Sequence, residues 1–242
     1  IEEIVFNYGL NSNWNLETTL NFGTRIMDFG KIPNDHHRDE SRVGIGDLKL
    51  ILRYLKSNIS FGPGTRLFFG SGIIIPSNNT IKVNPYGGGA HTHFAMSEGV
   101  YKFIGEMQYF KRDKGPIVTG IVSQFVMPLH TNKFSFKPGT ELSLTGYCLF
   151  QKMNLLGGLP QLMLTGTKRS PNKWPYYDGT GETNIILSGG VMWNRDNNHY
   201  SLTIGYPFVS TPDIIKGGEN VDGYANTINI TLSARVLFSS ND

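Results

Sequence analysis

Residues 226–238 read NTINITLSARVLF, in which apolar and polar side chains alternate. One face carries six apolar residues, and the opposite face carries Asn, Thr, Ser and Arg235; the apolar residues are Ile228, Ile230, Leu232, Ala234, Val236 and Phe238. A period of two is the pattern of a β-strand, whose successive side chains point to opposite sides. At about 3.3 Å per residue such a strand is long for a water-soluble protein. The segment predicts a long strand with one apolar and one polar face.

The same alternation recurs along the whole chain, and helical periodicity is nearly absent. We predict eleven strands, at residues 1–8, 14–25, 46–55, 65–76, 96–110, 116–128, 141–151, 155–166, 182–193, 199–208 and 226–238. One residue argues against this pattern, because Pro160 lacks the N–H group that a central strand needs. The prediction is one antiparallel β-domain over residues 1–242.

The connections between these strands alternate between short and long. The short ones are residues 10–13, 56–64, 111–115, 152–154 and 194–198. The long ones are residues 26–45, 77–95, 129–138, 167–181 and 209–225. In an antiparallel meander this alternation gathers the short turns at one end and the long loops at the other, as in bacterial outer-membrane barrels. A soluble sandwich would mix its loop lengths, because Greek-key connections cross between sheets.

Composition excludes several classes of protein. The chain has 242 residues, 17% of them charged, against about 25% in an average soluble domain. Its 15 Phe, 11 Tyr and 3 Trp, with abundant β-branched residues, exclude intrinsic disorder, and no apolar run is long enough for a spanning helix. Cys148 is the only cysteine, so no intramolecular disulfide forms. A net charge of +3 without a basic run gives no reason to expect nucleic acid as a partner.

Alternation alone does not orient the two faces. In a soluble barrel the apolar face points inward, whereas in a membrane barrel it faces lipid and the polar face lines the lumen. Aromatic residues near the strand ends, such as Trp14, Tyr101 and Trp193, fit the girdles of a membrane barrel. We therefore favour the membrane barrel over a soluble sandwich or closed barrel. The charged residues predicted to line its lumen as a paired network are Glu3, Glu17, Lys49, Arg53, Arg66, Lys102, Glu106, Glu141 and Arg235.

Eleven is an odd number of strands, whereas bacterial single-chain barrels have an even number with both ends in the periplasm. An open barrel would leave two strand edges unpaired in lipid, which is energetically prohibitive. The expectation is a barrel of about twelve strands, with one further strand before Ile1.

Several motifs in the first part of the chain resemble a known family. They are NYGLNSNWNLE at residues 7–17, GIGDLK at 44–49, PGT at 63–65 and GIIIP at 72–76. These motifs resemble the outer-membrane proteins associated with the phenol meta-cleavage pathway, over residues 1–80; the rest shares only the barrel pattern. The resemblance implies a barrel of about twelve strands, a strand upstream of Ile1, and transport of small, frequently hydrophobic compounds. It supplies no catalytic or binding residue.

Few residues indicate other chemistry. His91 and His93 alternate on an extended segment and are weak candidates for metal ligands. Solvated loop histidines are the simpler interpretation, and no cofactor is expected. Ser97 lacks the spacing to a histidine that an outer-membrane hydrolase would use, and Glu106 and Glu141 lie among bases, so the chain is not expected to be an enzyme.

One loop combines basic and aromatic residues, namely Lys168, Arg169, Lys173 and Trp174. Such a loop could contact lipopolysaccharide phosphates or cap the pore, or it could fold on its own aromatic rings.

The predicted function is a channel or transporter in the bacterial outer membrane that lets small molecules, including hydrophobic ones, pass by diffusion. Its expected partners are lipid, lipopolysaccharide and a small solute. The alternative is a non-conducting structural barrel that belongs to a larger envelope assembly and contacts an envelope protein. The openness of the lumen distinguishes the two.

Overall fold

The strands form one curled antiparallel sheet. The computed structural model describes residues 2–27, 40–57, 63–77, 82–83, 90–91, 96–173, 181–195, 197–213 and 228–236. Its strands are β1 (Glu2–Gly9), β2 (Trp14–Met27), β3 (Glu40–Ser57), β4 (Gly64–Ile75), β5 (Lys82–Val83), β6 (Ala90–His91), β7 (Lys102–Arg112), β8 (Ile117–Pro128), β9 (Glu141–Phe150), β10 (Leu159–Arg169), β11 (Gly181–Arg195), β12 (Asn198–Asp213) and β13 (Asn229–Val236). No helix in these ranges is long and apolar enough to cross a membrane.

The sheet is a simple meander. Eleven strands pair in the order β1-β2-β3-β4-β7-β8-β9-β10-β11-β12-β13, and β5 and β6 form a separate two-residue ladder. Every pairing is antiparallel. Within the described residues β1 pairs only with β2 and β13 only with β12, so the sheet is a half-barrel with two edges. The predicted all-β antiparallel fold is confirmed, and the sandwich alternative is wrong because the eleven long strands pair in chain order within one sheet.

Pro160 fits this sheet because of its position. It pairs with Val191 of β11, whereas pairing with β9 begins only at Gln161. The missing N–H group therefore removes no bond between β9 and β10, and the objection raised by this residue does not hold.

Two predicted strands begin later than expected. The segment 96–110 is a strand only from Lys102, because Gly99 adopts a φ of 69° and turns the chain out of the sheet. The segment 155–166 is a strand only from Leu159. There a tight turn, closed by two hydrogen bonds between Leu155 and Gly158, holds Leu156 and Gly157 at positive φ.

Other strands are longer than predicted. β3 begins at Glu40, and β12 runs to Asp213, so both extend into segments expected to be long loops. β10 runs to Arg169, so Lys168 and Arg169 belong to a strand and not to the basic loop of the sequence prediction. The reason is that β9 and β11 provide pairing partners for both residues on either side.

Candidate functional site

The two faces of the sheet differ in chemistry. Side chains such as Phe103, Met107, Leu144, Leu164 and Ile204 are exposed on the convex face, with 37–54% of their surface accessible. The concave face carries the charged and hydrogen-bonding residues of the same strands. A water-soluble protein rarely exposes a continuous apolar face of this kind. The distribution is that of a barrel with a polar interior and an apolar exterior.

Arg53 is the centre of an ion cluster on the concave face. Its Nε donates to Oε1 of Glu106 at 2.5 Å and its Nη1 donates to Oε2 of Glu17 at 2.5 Å. Its Nη2 reaches the second oxygens of both carboxylates, at 3.1 and 3.0 Å. Arg53 is 8% exposed and Glu106 9%. Such bidentate pairs satisfy a buried guanidinium, so Arg53, Glu17 and Glu106 form a rigid unit, here called the central cluster.

Amide and ammonium groups complete the central cluster. Gln108 and Gln124 donate to the two oxygens of Glu106, at 2.7 and 3.2 Å. Lys49 lies 4.0 Å from Glu17. Two acids and two bases therefore balance at the middle of the wall.

A short segment, Met96–Val100, lies inside the curl near the long-loop end and is called here the inner segment. Ser97 is 3% exposed and Val100 is fully buried. The hydroxyl of Ser97 bonds to the carboxylate of Asp47 on β3 and accepts the N–H of Gly99 at 3.1 Å. Glu98 forms ion pairs with Lys102, at 2.6 Å, and with Arg169 on β10.

These contacts place the inner segment across the interior. β3 and β10 are five places apart in the sheet, a separation of about 24 Å along its surface. Ser97 and Glu98 are neighbours in the chain, only about 3.8 Å apart at their Cα atoms. Adjacent residues can contact both strands only if the sheet curves around them. The inner segment therefore narrows the space inside the curl at this end.

β3 on one side and the loop after β8 on the other hold the inner segment in place. The carbonyl of Met96 would lie 3.3 Å from a Cβ atom on Gly46, so the absence of a side chain there lets the segment approach β3. On the other side, Asn132 Nδ2 donates to the Glu98 carbonyl at 3.0 Å. Asn132 Oδ1 accepts the N–H groups of Phe134 and Phe136, which shapes the loop after β8.

Glu98 lies outside the strands, and its ionisation is tuned by two opposing effects. Burial favours the neutral acid and raises its pKa, but the charges of Lys102 and Arg169 outweigh burial. The net pKa of Glu98 lies below its ordinary value, so Glu98 is ionised at neutral pH.

Apart from Glu141 and Arg169 near the long loops, the wall formed by β9, β10 and β12 carries neutral polar groups. Tyr147 donates to Gln161 at 3.3 Å, and Gln161 donates to Thr203 at 3.2 Å. Thr145 and Thr165 share a hydrogen bond of 3.0 Å. Hydroxyl and amide groups of β9, β10 and β12 thus continue the polar side of the sheet beyond the charged groups of β2, β3 and β7.

The concave side holds a partly open cavity of about 1940 Å³ that extends from the central cluster to the short-turn end and the edges of β1 and β13. Arg53 and Glu17 line it at the centre, and Arg66, Arg112 and Arg235 line it towards the short turns. Glu3 lines it on the edge strand β1. A cavity of this size is at least that of a large small-molecule site.

The structure brings together some of the predicted lumen residues and separates others. Arg53, Glu17, Lys49 and Glu106 meet in the central cluster, and Lys102 joins Glu98. Glu141 lies opposite Arg169 across β9 and β10. Glu3, Arg66 and Arg235 line the cavity away from these groups. That the set lines a conducting lumen stays a prediction.

The residues of the predicted basic loop are dispersed. Arg169 faces the interior through its pair with Glu98, and Lys173 forms a two-bond backbone bridge with Lys137. Trp174 lies outside the described residues. His93 and the side chain of His91 also lie outside them, and no group of three or more His, Cys, Asp or Glu suited to a metal occurs in the ranges described.

Sequence reasoning missed Arg112 and Glu98. Both are even-numbered, like Lys102, Glu106 and Gln108, whose side chains form the polar face of β7. Arg112 lies on β7 itself, and Glu98 lies just before it. Extending the alternation two residues beyond Phe110 would have found Arg112. Glu98 could not be placed in this way, because the inner segment leaves the sheet.

Comparison with known proteins identifies the fold. No family model matches the chain, and no curated protein is similar to it in sequence. A crystal structure of an outer membrane channel from Pseudomonas putida F1 superposes with a TM-score of 0.63 at 12% identity, covering 97% of this chain and 82% of that chain. The chain therefore has the fold of an outer-membrane channel barrel.

Proposed function

We propose that this protein is a channel of the outer membrane of a Gram-negative bacterium, through which small molecules diffuse passively. The observation that carries the proposal is the combination of an apolar convex face with a charged concave face around a cavity of about 1940 Å³. Lipid would cover the convex face, and water would fill the cavity on the concave face. The shared fold with an outer membrane channel supports the same reading.

The proposed path has two ends of different width. Solutes would enter or leave through the cavity at the short-turn end, which faces the periplasm in barrels of this kind. The inner segment would set the narrowest point near the long loops, which face outward and contact lipopolysaccharide. Lys168 and Lys173 are the described cations proposed for that contact.

The identity of the solute is part of the proposal. The resemblance to proteins of the phenol meta-cleavage pathway favours small, frequently hydrophobic compounds, whereas the charged wall favours polar ones. Swelling of liposomes in isotonic solutions of phenol or of a small sugar would rank the two classes. Faster swelling with sugar would contradict the hydrophobic preference.

Conductance is the direct test of the channel. Refolded protein in planar bilayers should give discrete conductance steps, and the variant Arg53→Gln, which removes the cation of the central cluster, should change their size. Lys111→Gln, on an exposed ion pair with Asp113, is the matched control and should leave the steps unchanged. Folded protein that inserts without any conductance or swelling would contradict the proposal.

A second candidate function is a non-conducting barrel that contributes to an envelope assembly with another protein. It is favoured by the inner segment, which crosses the interior, and by the burial of Arg53 and Glu106. A conductance-silent barrel that copurifies with an envelope protein after crosslinking in cells would support this alternative.

A further inference from the structure

Charge is unevenly distributed along the interior. Near the long loops the inward-facing charged residues that the structure describes are mostly acids. They are Glu3, Asp47, Glu98, Glu141 and Glu182, with Lys102 and Arg169 as the bases. At the centre, Arg53 and Lys49 balance Glu17 and Glu106. The interior is therefore acidic at one end and neutral in the middle.

The short-turn end has the opposite character. Arg66, Arg112 and Arg235 line the cavity there, and none forms an ion pair with another described residue. Here this group is called the basic mouth. It contrasts with the central cluster, where each carboxylate already has its cation.

Two members of the basic mouth are neighbours. Arg66 pairs in register with Phe110, and Gly64 pairs with Arg112, so the two arginines are diagonal neighbours on β4 and β7. Such positions lie within reach of long side chains, and like charges there repel. An oxyanion between the guanidinium groups would relieve the repulsion, because each planar fork offers two donors to a carboxylate or phosphate.

We propose that the basic mouth, Arg66 with Arg112 and Arg235, is a binding site for small oxyanions, either carboxylates or phosphate, at the short-turn entrance of the lumen. This inference rests on the proposed channel and names the class of solute that it favours. Binding there would concentrate anions at the entrance and make the channel anion-selective.

The test combines one readout that needs conduction with one that does not. In neutral phosphatidylcholine bilayers under a KCl gradient, the reversal potential of the natural chain should indicate a preference for anions. The triple variant Arg66→Gln, Arg112→Gln and Arg235→Gln should lose that preference. The control is Lys111→Gln, Lys114→Gln and Lys152→Gln, which removes equal charge from exposed positions at the same end outside the cavity lining and should keep it.

The second readout is chemical modification in detergent, which excludes lipid headgroups as the source of the anion. Phenylglyoxal modifies accessible arginines, and inorganic phosphate should slow modification of the basic mouth several-fold by peptide mass spectrometry, but not that of Arg195. If phosphate does not slow modification of the basic mouth, the inference is wrong. It is also wrong if the channel conducts and the triple variant keeps its anion preference. Protection without any conductance would retain the site and contradict the channel.

Discussion

The ring of Phe110 lies over Gly120, its partner across β7 and β8. A Cβ atom on Gly120 would stand 2.3 Å from Cδ1 of that ring. Tyr147 is the next partner in register, on β9, and its ring meets that of Phe110 edge to face with centroids 6.5 Å apart. The glycine thus provides the space in which two aromatic rings meet across three strands.

Gly120→Val is expected to destabilise the barrel by roughly 1–3 kcal/mol, because the side chain would force the Phe110 ring out of its position. The measurement is the free energy of unfolding in a urea titration of the detergent-solubilised protein. Gly166→Val is the control, since nothing lies within 4 Å of a Cβ atom there. If both variants lose the same free energy of unfolding, the contact with the Phe110 ring is unimportant.

Arg53→Gln should cost roughly 3–5 kcal/mol, because it leaves the buried Glu106 without its cation and leaves Glu17 with only Lys49, 4.0 Å away. Lys111→Gln breaks an exposed pair and should cost roughly 0–1 kcal/mol. Both values come from the same urea titration. If the triple variant Arg53→Gln, Glu17→Gln and Glu106→Gln were no more stable than Arg53→Gln alone, the uncompensated charge would not be the cause.

Arg169→Gln should release the inner segment. Ser97→Cys in a Cys148→Ser background reports this release, because residue 97 is buried and should react slowly with a water-soluble maleimide. Loss of one charged hydrogen bond, about 1.5–3 kcal/mol, should raise the labelling rate roughly tenfold or more. Arg195→Gln, at the other end of the barrel, serves as the control. An unchanged rate in Arg169→Gln would mean that the pair with Glu98 does not hold the segment.

The same labelling should depend on pH. The pKa of Glu98 is lower in the folded protein than in the unfolded chain, so its ion pairs stabilise the inner segment fully above the unfolded value, about 4.3 for glutamate. That stabilisation is lost as the pH falls through the folded pKa. Labelling of Ser97→Cys, corrected for thiolate content, should rise in that acid range, and Glu98→Gln should abolish the dependence. A rise that persists in Glu98→Gln would assign it to another group.

Alternation predicted the strands and the polar face, because both depend only on a period of two along the chain. It placed Arg53, Glu17 and Glu106 on one face, yet their contacts depend on the register between β2, β3 and β7, which alternation leaves free. The inner segment was taken for strand, since Met96–Val100 continues the pattern of β7 until the φ of Gly99 breaks it. Arg169 was assigned to a loop because strand ends carry no signal of their own.

The contacts of Ser97 with Asp47 and of Glu98 with Arg169 also help to set the radius of the barrel. Twist and bulges normally set the curvature of a sheet, and both are properties of the strands themselves. Here a five-residue segment spans the interior and fixes the distance between two strands that never pair. The width of this barrel is thus encoded partly outside its strands. Insertions before β7 should therefore alter the bore, whereas insertions in turns that do not cross the interior should leave it unchanged.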